Sequence, residues 1–319
     1  MCYPISTRRA VLGVLTILFG LLFSSADAQR NQRDAPVSNR EISILVTAHP
    51  HNTRMREAAL KLKMDDFVVR EEKRPQQIIS VKQPPETPPI LAVLVQDDLV
   101  SRVNNEIKGL KEFIKRLPEG SRVMTGYITT GTLQVTQDFT TDRDRAASSL
   151  RIVRSSSSGA PYNPYVEVIE ALRRFESQPV GRRMILLISD GLDTSHGFRS
   201  SSPMLSIDLD RAIREAQRRG VAVFSFYAPT VDQTSAIRMA VNFGQGSLIR
   251  LADETGGEAF MSGYDFVSFD PYFKEFEELL GLQWVITYRS STIGREFRHI
   301  EVTTEHDVHL HYPDGYNPR

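Results

Sequence analysis

Two apolar runs that each end in acidic residues dominate the pattern of this chain. Residues 90–95 run into Gln96-Asp97-Asp98, and residues 184–188 run into Ser189-Asp190-Gly191. Amphipathic helical spacing covers 103–117 and 166–175, so the period alternates between strand and helix as a parallel βαβ sheet requires. Open sheets of this kind bind ligands at the carboxyl ends of their strands, where we expect Asp97, Asp98 and Asp190 to lie together.

The same alternation continues through the middle of the chain. It predicts strands at 122–128, 133–139, 221–227 and 258–261, with a hairpin turn at 129–132, and helices at 142–152, 209–219, 247–255 and 271–280. This order predicts an α/β domain with a doubly wound, mostly parallel sheet over residues 90–282.

Two shorter β segments flank this domain. Residues 40–89 contain strand patterns at 42–46, 67–69 and 77–81, followed by Pro84, Pro85, Pro88 and Pro89, which mark a boundary. Residues 283–319 contain strand patterns at 283–288, 298–304 and 309–312. Neither segment can bury a core alone, so we expect the two to form one small accessory β unit.

The amino-terminal residues have the features of an export signal. Arg8-Arg9, an apolar run at 11–23 and Ala26-Asp27-Ala28 predict a signal peptide at 1–28, followed by a polar linker at 29–39. The mature chain is expected to be periplasmic or secreted, with no membrane span after cleavage. An uncleaved anchor is the alternative, although the apolar run is short for a membrane span. Cys2 is the one cysteine and leaves with the signal, so no cysteine chemistry is expected.

Charge adds two expectations. Lys+Arg and Asp+Glu both number 39, so no nucleic-acid surface is indicated. The pairs Arg173-Arg174, Arg182-Arg183 and Arg218-Arg219 lie at helix ends or before a strand, where we expect solvated side chains.

Two motifs resemble those of the von Willebrand factor A (vWA) domain. Residues 184–191 are similar to the family's strand ending in Ser/Thr-Asp-Gly, and residues 251–260 to its A-x-x-T-G-G turn. The pieces 65–71, 77–79, 286–289 and 314–316 are similar to exported bacterial VWFA-related proteins of the Acidobacteria type. The resemblance implies a Rossmann-like sheet and a metal-ion-dependent adhesion site, in which oxygen ligands hold Mg²⁺.

Carried over residue by residue, that site is degenerate. The resemblance assigns as ligands Asp97, Ser101, Asn163 and Asp190, with Ser157, Ser158 and Tyr162 as alternatives for the loop position of Asn163. It puts Leu99 where the first serine of D-x-S-x-S belongs. Leucine offers no oxygen, although Asp98 can substitute for the missing ligand. We therefore predict that Mg²⁺ binds weakly or not at all. Asn163 has an alternative role as the N-cap of a helix that begins at Pro164.

Other candidate chemistry is weaker. His49, His51, His306, His309 and His311 would lie in the joined β segments, where a zinc site is an alternative to a polar strand face. Asp193, Ser195 and His196 have the residue types of a hydrolase triad but lack a nucleophile elbow.

The sequence thus predicts a non-enzymatic, exported vWA module that binds another exported or envelope protein. The alternatives are a metal-independent scaffold of an envelope complex and, less favoured, a hydrolytic enzyme. No pattern in the chain specifies the oligomeric state.

Overall fold

The computed structural model describes residues 40–50, 52–156, 162–231, 234, 237–261, 263, 268–292 and 294–318. The expected signal peptide and linker lie outside these residues. The strands are β1 Arg40–His49, β2 Phe67–Glu71, β3 Arg74–Pro75, β4 Gln77–Lys82, β5 Ile90–Gln96, β6 Arg122–Thr129, β7 Thr132–Thr140, β8 Arg183–Ser189, β9 Val221–Tyr227, β10 Ala259–Phe260, β11 Gln283–Ser290, β12 Arg298–Thr304, β13 His309–His311 and β14 Gly315–Tyr316. The helices are α1 Thr53–Ala59, α2 Ile107–Arg116, α3 Arg143–Ser148, α4 Pro164–Arg174, α5 Ile207–Arg219, α6 Arg238–Thr255 and α7 Asp270–Leu280.

The central sheet has six strands in the order β10-β9-β8-β5-β6-β7. Neighbouring strands are parallel except for β6 and β7, which form the predicted antiparallel hairpin. Strands β5 and β8 lie side by side in the middle, with Ile90 opposite Arg183 and Val95 opposite Ile188. Both are buried along their whole length because helices cover both faces of the sheet.

Alternate residues of β5 point into two different cores. Leu91, Val93 and Val95 pack with α2, α3 and α7 on one face. Ala92 and Leu94 pack with α4, α5 and α6 on the other face. Layers of helix, sheet and helix confirm the predicted doubly wound α/β fold.

The flanking segments pair with each other. Strand β11 lies between β1 and β4, and β12 pairs with β2, so both small sheets combine strands from before and after the central domain. They enclose a third core that contains Trp284, Ile286 and Phe67. The expected pairing is therefore present, while the domain boundaries themselves stay predictions.

Three helices differ from the sequence prediction. Helix α6 begins nine residues earlier than expected, because Gly244 and Gly246 obscure its amphipathic pattern. Helix α3 ends at Ser148 instead of continuing to residue 152, since the backbone N–H of Arg151 donates to the Tyr127 hydroxyl. Helix α1, capped by Asn52, had no counterpart in the prediction.

The prediction that the arginine pairs are solvated is wrong for Arg182, Arg183 and Arg219, which are buried. The Arg182 guanidinium donates to Gln283 Oε1 and to the carbonyl oxygens of Thr87 and Leu280. Burial lowers the pKa of Arg182 to about 10. This side chain joins the central domain to the first residue of β11.

Among the described residues, no helix combines the length and the apolar character needed to cross a membrane.

The loop after β8 lies against helix α6 at two glycines. A Cβ atom on Gly244 would lie 2.0 Å from the carbonyl oxygen of Asp190. Gly191 has a φ of 69°, and a Cβ there would lie 2.4 Å from the carbonyl oxygen of Gly244. The contact therefore requires the absence of a side chain on both residues.

We predict that Gly244→Ala lowers the free energy of unfolding by about 2–4 kcal/mol, because a methyl group must displace the backbone at Asp190. Urea denaturation of the variant measures the loss. Gly181→Ala is the matched control, since a Cβ there meets nothing within 4 Å, and it should change stability by less than about 0.5 kcal/mol. Equal effects for the two substitutions would contradict the contact.

Candidate functional site

The carboxyl ends of β5 and β8 are joined by the side chain of Gln96. Its Oε1 accepts hydrogen bonds from Ser189 Oγ at 2.5 Å and from the Asp190 backbone N–H at 3.2 Å. Its Nε2 donates to Asp98 Oδ1 at 2.9 Å. Asp98 and Asp190 thus come to the same edge of the sheet, as expected from the strand pattern. Gln96 was missed because a polar residue at a strand end has many other uses.

Asp97 is held by two arginines. Arg151 makes a bidentate contact, Nη1 to Oδ1 at 2.7 Å and Nη2 to Oδ2 at 3.0 Å, and Arg154 Nε lies 3.2 Å from Oδ2. The Arg151 guanidinium also lies 3.9 Å from the centroid of the Tyr127 ring. The hydrogen bond with Asp97 raises the pKa of Arg151. Guanidinium groups therefore supply the counter-charge for the buried Asp97 carboxylate.

Asp190 is also buried, but its carboxyl group contacts hydrogen-bond donors in place of guanidinium groups. Its Oδ1 accepts from the Leu192 backbone N–H and its Oδ2 from Thr234 Oγ1, both at 3.1 Å. Burial raises the pKa of Asp190 to about 6, although these hydrogen bonds oppose the shift.

The other positions of the expected metal site contact the core, solvent or other polar groups. Leu99 is fully buried in a core, and Ser101 is exposed at the start of a short 3₁₀ helix, Ser101–Glu106. Asn163 is the N-cap of α4, as its alternative role required: its Oδ1 accepts from the Tyr165 backbone N–H at 3.0 Å. Its Nδ2 donates to Asp208 Oδ2 at 2.7 Å.

This donor set does not fit an octahedral Mg²⁺. Both oxygens of Asp97 are taken by arginine, the side-chain oxygen of Asn163 caps a helix, and Leu99 points into the core. Mg²⁺ needs near-ideal oxygen geometry. Asp97, Asn163 and Asp190 are thus engaged by arginine side chains, backbone N–H groups and other polar side chains, and Ser101 faces solvent.

A second polar network surrounds Asp193, three residues after Asp190. Its Oδ1 accepts from the Ser195 N–H and hydroxyl, and its Oδ2 from Ser206 Oγ. Ser195 Oγ lies 2.9 Å from His196 Nδ1. The hydroxyl contacts both Asp193 and His196, whereas a hydrolase triad places the imidazole between serine and carboxylate.

Asp208, in the first turn of α5, completes this network through Asn163. The sequence offered one signal for it, an acidic residue just after the N-cap Ser206, but that signal is common to helix starts.

Three of the candidate zinc-binding histidines come together in the accessory sheet. The rings of His49 and His311 are stacked with centroids 3.9 Å apart, and His309 lies 4.9 Å from His311. His306 instead pairs with Asp66, and His51 lies outside the described residues.

Large apolar side chains are exposed at the carboxyl-terminal edge of the central sheet. Met204, Leu205 and Ile207 are exposed where the β8–α5 connection enters α5, and Ile237 and Met239 are exposed at the start of α6. We call these five residues the edge patch. Large exposed apolar side chains that share one edge of a fold are typical of interaction sites.

The raised pKa of Asp190 predicts how the stability of the fold depends on pH. With a pKa near 6 in the folded chain and 3.8 as the ordinary value, the native state holds the proton more tightly than the unfolded chain. The free energy of unfolding should therefore fall by up to about 3 kcal/mol as pH rises from about 4 to 7. Asp190→Asn should remove this part of the pH dependence, measured by urea denaturation at several pH values.

Asp97→Asn is the control for that measurement: it should lower stability by weakening the contact with Arg151, and it should leave in place the pH dependence that Asp190 contributes. An Asp190→Asn variant with the same pH dependence as the unmodified chain would show that Asp190 is ionised throughout.

Neither a protein-family model nor a curated protein sequence matches this chain. Among solved structures, it is similar to the conserved hypothetical protein BatB from Bacteroides thetaiotaomicron (15% identity, TM-score 0.42, covering 60% of this chain and 98% of that chain). It is also similar to an aerotolerance-related membrane protein from Bacteroides fragilis (13%, 0.39, 60% and 98%) and to the SpRpn10 VWA domain (14%, 0.36, 61% and 92%). The strand order and directions of this chain's own central sheet give its central domain the doubly wound, mostly parallel α/β architecture that the vWA resemblance of its sequence implies.

Proposed function

We propose that this chain is a protein-binding module that recognises another exported or envelope protein through the carboxyl-terminal edge of its vWA-like sheet. The observation that carries the proposal is the edge patch, in which Met204, Leu205 and Ile207 are exposed beside one another in sequence. Apolar residues that gain burial on association provide most of the binding free energy of a protein interface.

Hydrogen bonds hold the chain on both sides of Met204 and Leu205 in the edge patch. Arg250 Nη1 donates to the carbonyl oxygen of Pro203, which fixes the loop before Met204 against α6. Ser206 caps α5 through the Leu209 N–H and also donates to Asp193. A loop held in this way loses little conformational entropy on binding, which favours affinity.

The proposed recognition does not require Mg²⁺. In a metal-ion-dependent adhesion site, the ion supplies positive charge beside the first aspartate. Here Arg151 and Arg154 supply that charge to Asp97 by direct contact. The proposal therefore includes weak or absent Mg²⁺ binding and assigns no catalytic role to this edge.

A bait experiment tests this function. The chain from residue 29 onward is immobilised on a support and incubated with envelope extract, and the captured proteins are quantified by mass spectrometry. We expect Leu205→Glu to reduce capture of a specific partner by about tenfold or more, because a charge would enter the apolar interface. Added Mg²⁺ should leave capture unchanged.

Val180→Glu is the matched control. Val180 is 70% exposed and Leu205 is 63% exposed, but Val180 lies before β8, at the opposite edge of the sheet. Partners captured equally by the unmodified bait and by both variants would contradict recognition through the edge patch.

We further propose that the chain is exported, on the strength of Arg8-Arg9, the apolar run and Ala26-Asp27-Ala28. Mass spectrometry of the protein purified from its native cells should find Gln29, free or cyclised, at the amino terminus. A soluble cytoplasmic pool that retains residues 1–28 would contradict export.

A further inference from the structure

We propose that Asp193, His196 and Asp208 form a binding site for a divalent transition-metal ion such as Zn²⁺. One ligand atom from each of these side chains lies within 4.8 Å of the other two. Asp193 follows β8, His196 lies in the same connection, and Asp208 is in the first turn of α5. The site shares none of the ligands that the vWA resemblance assigns.

The charges at this position favour a cation. Asp193 is 4% exposed and Asp208 is 9% exposed, so two largely buried carboxylates have oxygen atoms within 4.8 Å of each other. Arg211 Nη1 contacts Asp208 Oδ1 at 2.8 Å, but its side chain is itself 54% exposed. An exposed arginine gives only partial compensation to a buried pair of like charges.

The donor types select the kind of metal. One imidazole and two carboxylates suit Zn²⁺, whereas Mg²⁺ and Ca²⁺ prefer oxygen ligands alone. Zinc bonds of about 2.0–2.2 Å bring tetrahedral ligands to about 3.5 Å from one another. The three ligand atoms, which lie within 4.8 Å of one another, need to approach by up to about 1.3 Å to reach this geometry, and the exposed His196 is the side chain with room to move.

Neighbouring side chains already orient two of the three ligands. Ser206 Oγ and the Ser195 N–H and hydroxyl bind Asp193, and Asn163 Nδ2 donates to Asp208 Oδ2. Hydrogen bonds of this kind position metal ligands and strengthen binding. Asn163 therefore contributes to this site by its hydrogen bond to the ligand Asp208, and not as a ligand of Mg²⁺.

The histidines of the accessory sheet are the rival zinc site. His49 and His311 are stacked with their ring planes inclined by 28°. A metal bond lies in the plane of an imidazole ring, so two stacked rings cannot direct their nitrogen lone pairs to one ion without turning apart.

Isothermal titration calorimetry with ZnCl₂ and, separately, MgCl₂ tests the site, using the chain from residue 29 onward. We expect one Zn²⁺ to bind, and we expect His196→Ala and Asp208→Asn each to weaken the affinity by about tenfold or more. His196 is exposed, so its replacement should leave the fold intact. Arg211→Gln should tighten binding by about two- to fivefold, because it removes the competing guanidinium.

His311→Ala is the matched control and should bind Zn²⁺ like the unmodified chain. No Zn²⁺ binding, or binding lost in His311→Ala and kept in His196→Ala, would overturn the proposal. The titration involves no protein partner, so its outcome is independent of recognition through the edge patch.

Discussion

Burying carboxylates where parallel strands end is the constraint on which this edge of the molecule depends. A buried carboxylate is costly unless it gains a counter-charge, accepts hydrogen bonds or takes up a proton. The chain uses different solutions for its two central aspartates. Asp97 receives a bidentate guanidinium, whereas Asp190 receives two hydrogen bonds and has a raised pKa.

These solutions shape the surrounding loops. Helix α3 ends early so that Arg151 can lie over Tyr127 and reach Asp97. With Asp97 satisfied, residue 99 needs no oxygen, and its leucine fills the core beside Val103. The positive charge beside Asp97 is thus covalently part of the chain.

The fold was predictable where one physical signal dominates. Strands β5 and β8 are buried on both faces, so their apolar runs were unmistakable, and the helices between them show a clear period. Helix α6 was misplaced because its glycines serve a close backbone contact, which no periodic pattern reports. Arg182 was wrongly placed in solvent because its partners, Gln283 and Leu280, are about a hundred residues away in sequence.

The residues of the candidate site were likewise predictable only where a local sequence signal marks them. Asp190 was identified because it follows a strand directly. The partnership of Arg151 with Asp97 spans 54 positions and leaves no local trace. Asp208 was missed because its carboxylate meets Asp193 only after the β8–α5 connection has folded back. Residues that act through tertiary contacts become visible only when the sheet brings their segments together.

The buried guanidinium of Arg182 has a consequence for how this molecule can be divided. It donates to the carbonyl of Thr87, which precedes the central domain, to the carbonyl of Leu280 in its last helix, and to the side chain of Gln283, which follows it. A cut at either flank would leave a charged group in the interior with part of its shell missing, which is strongly destabilising. The central domain of this chain can therefore be transferred to another protein only together with the strands that precede and follow it.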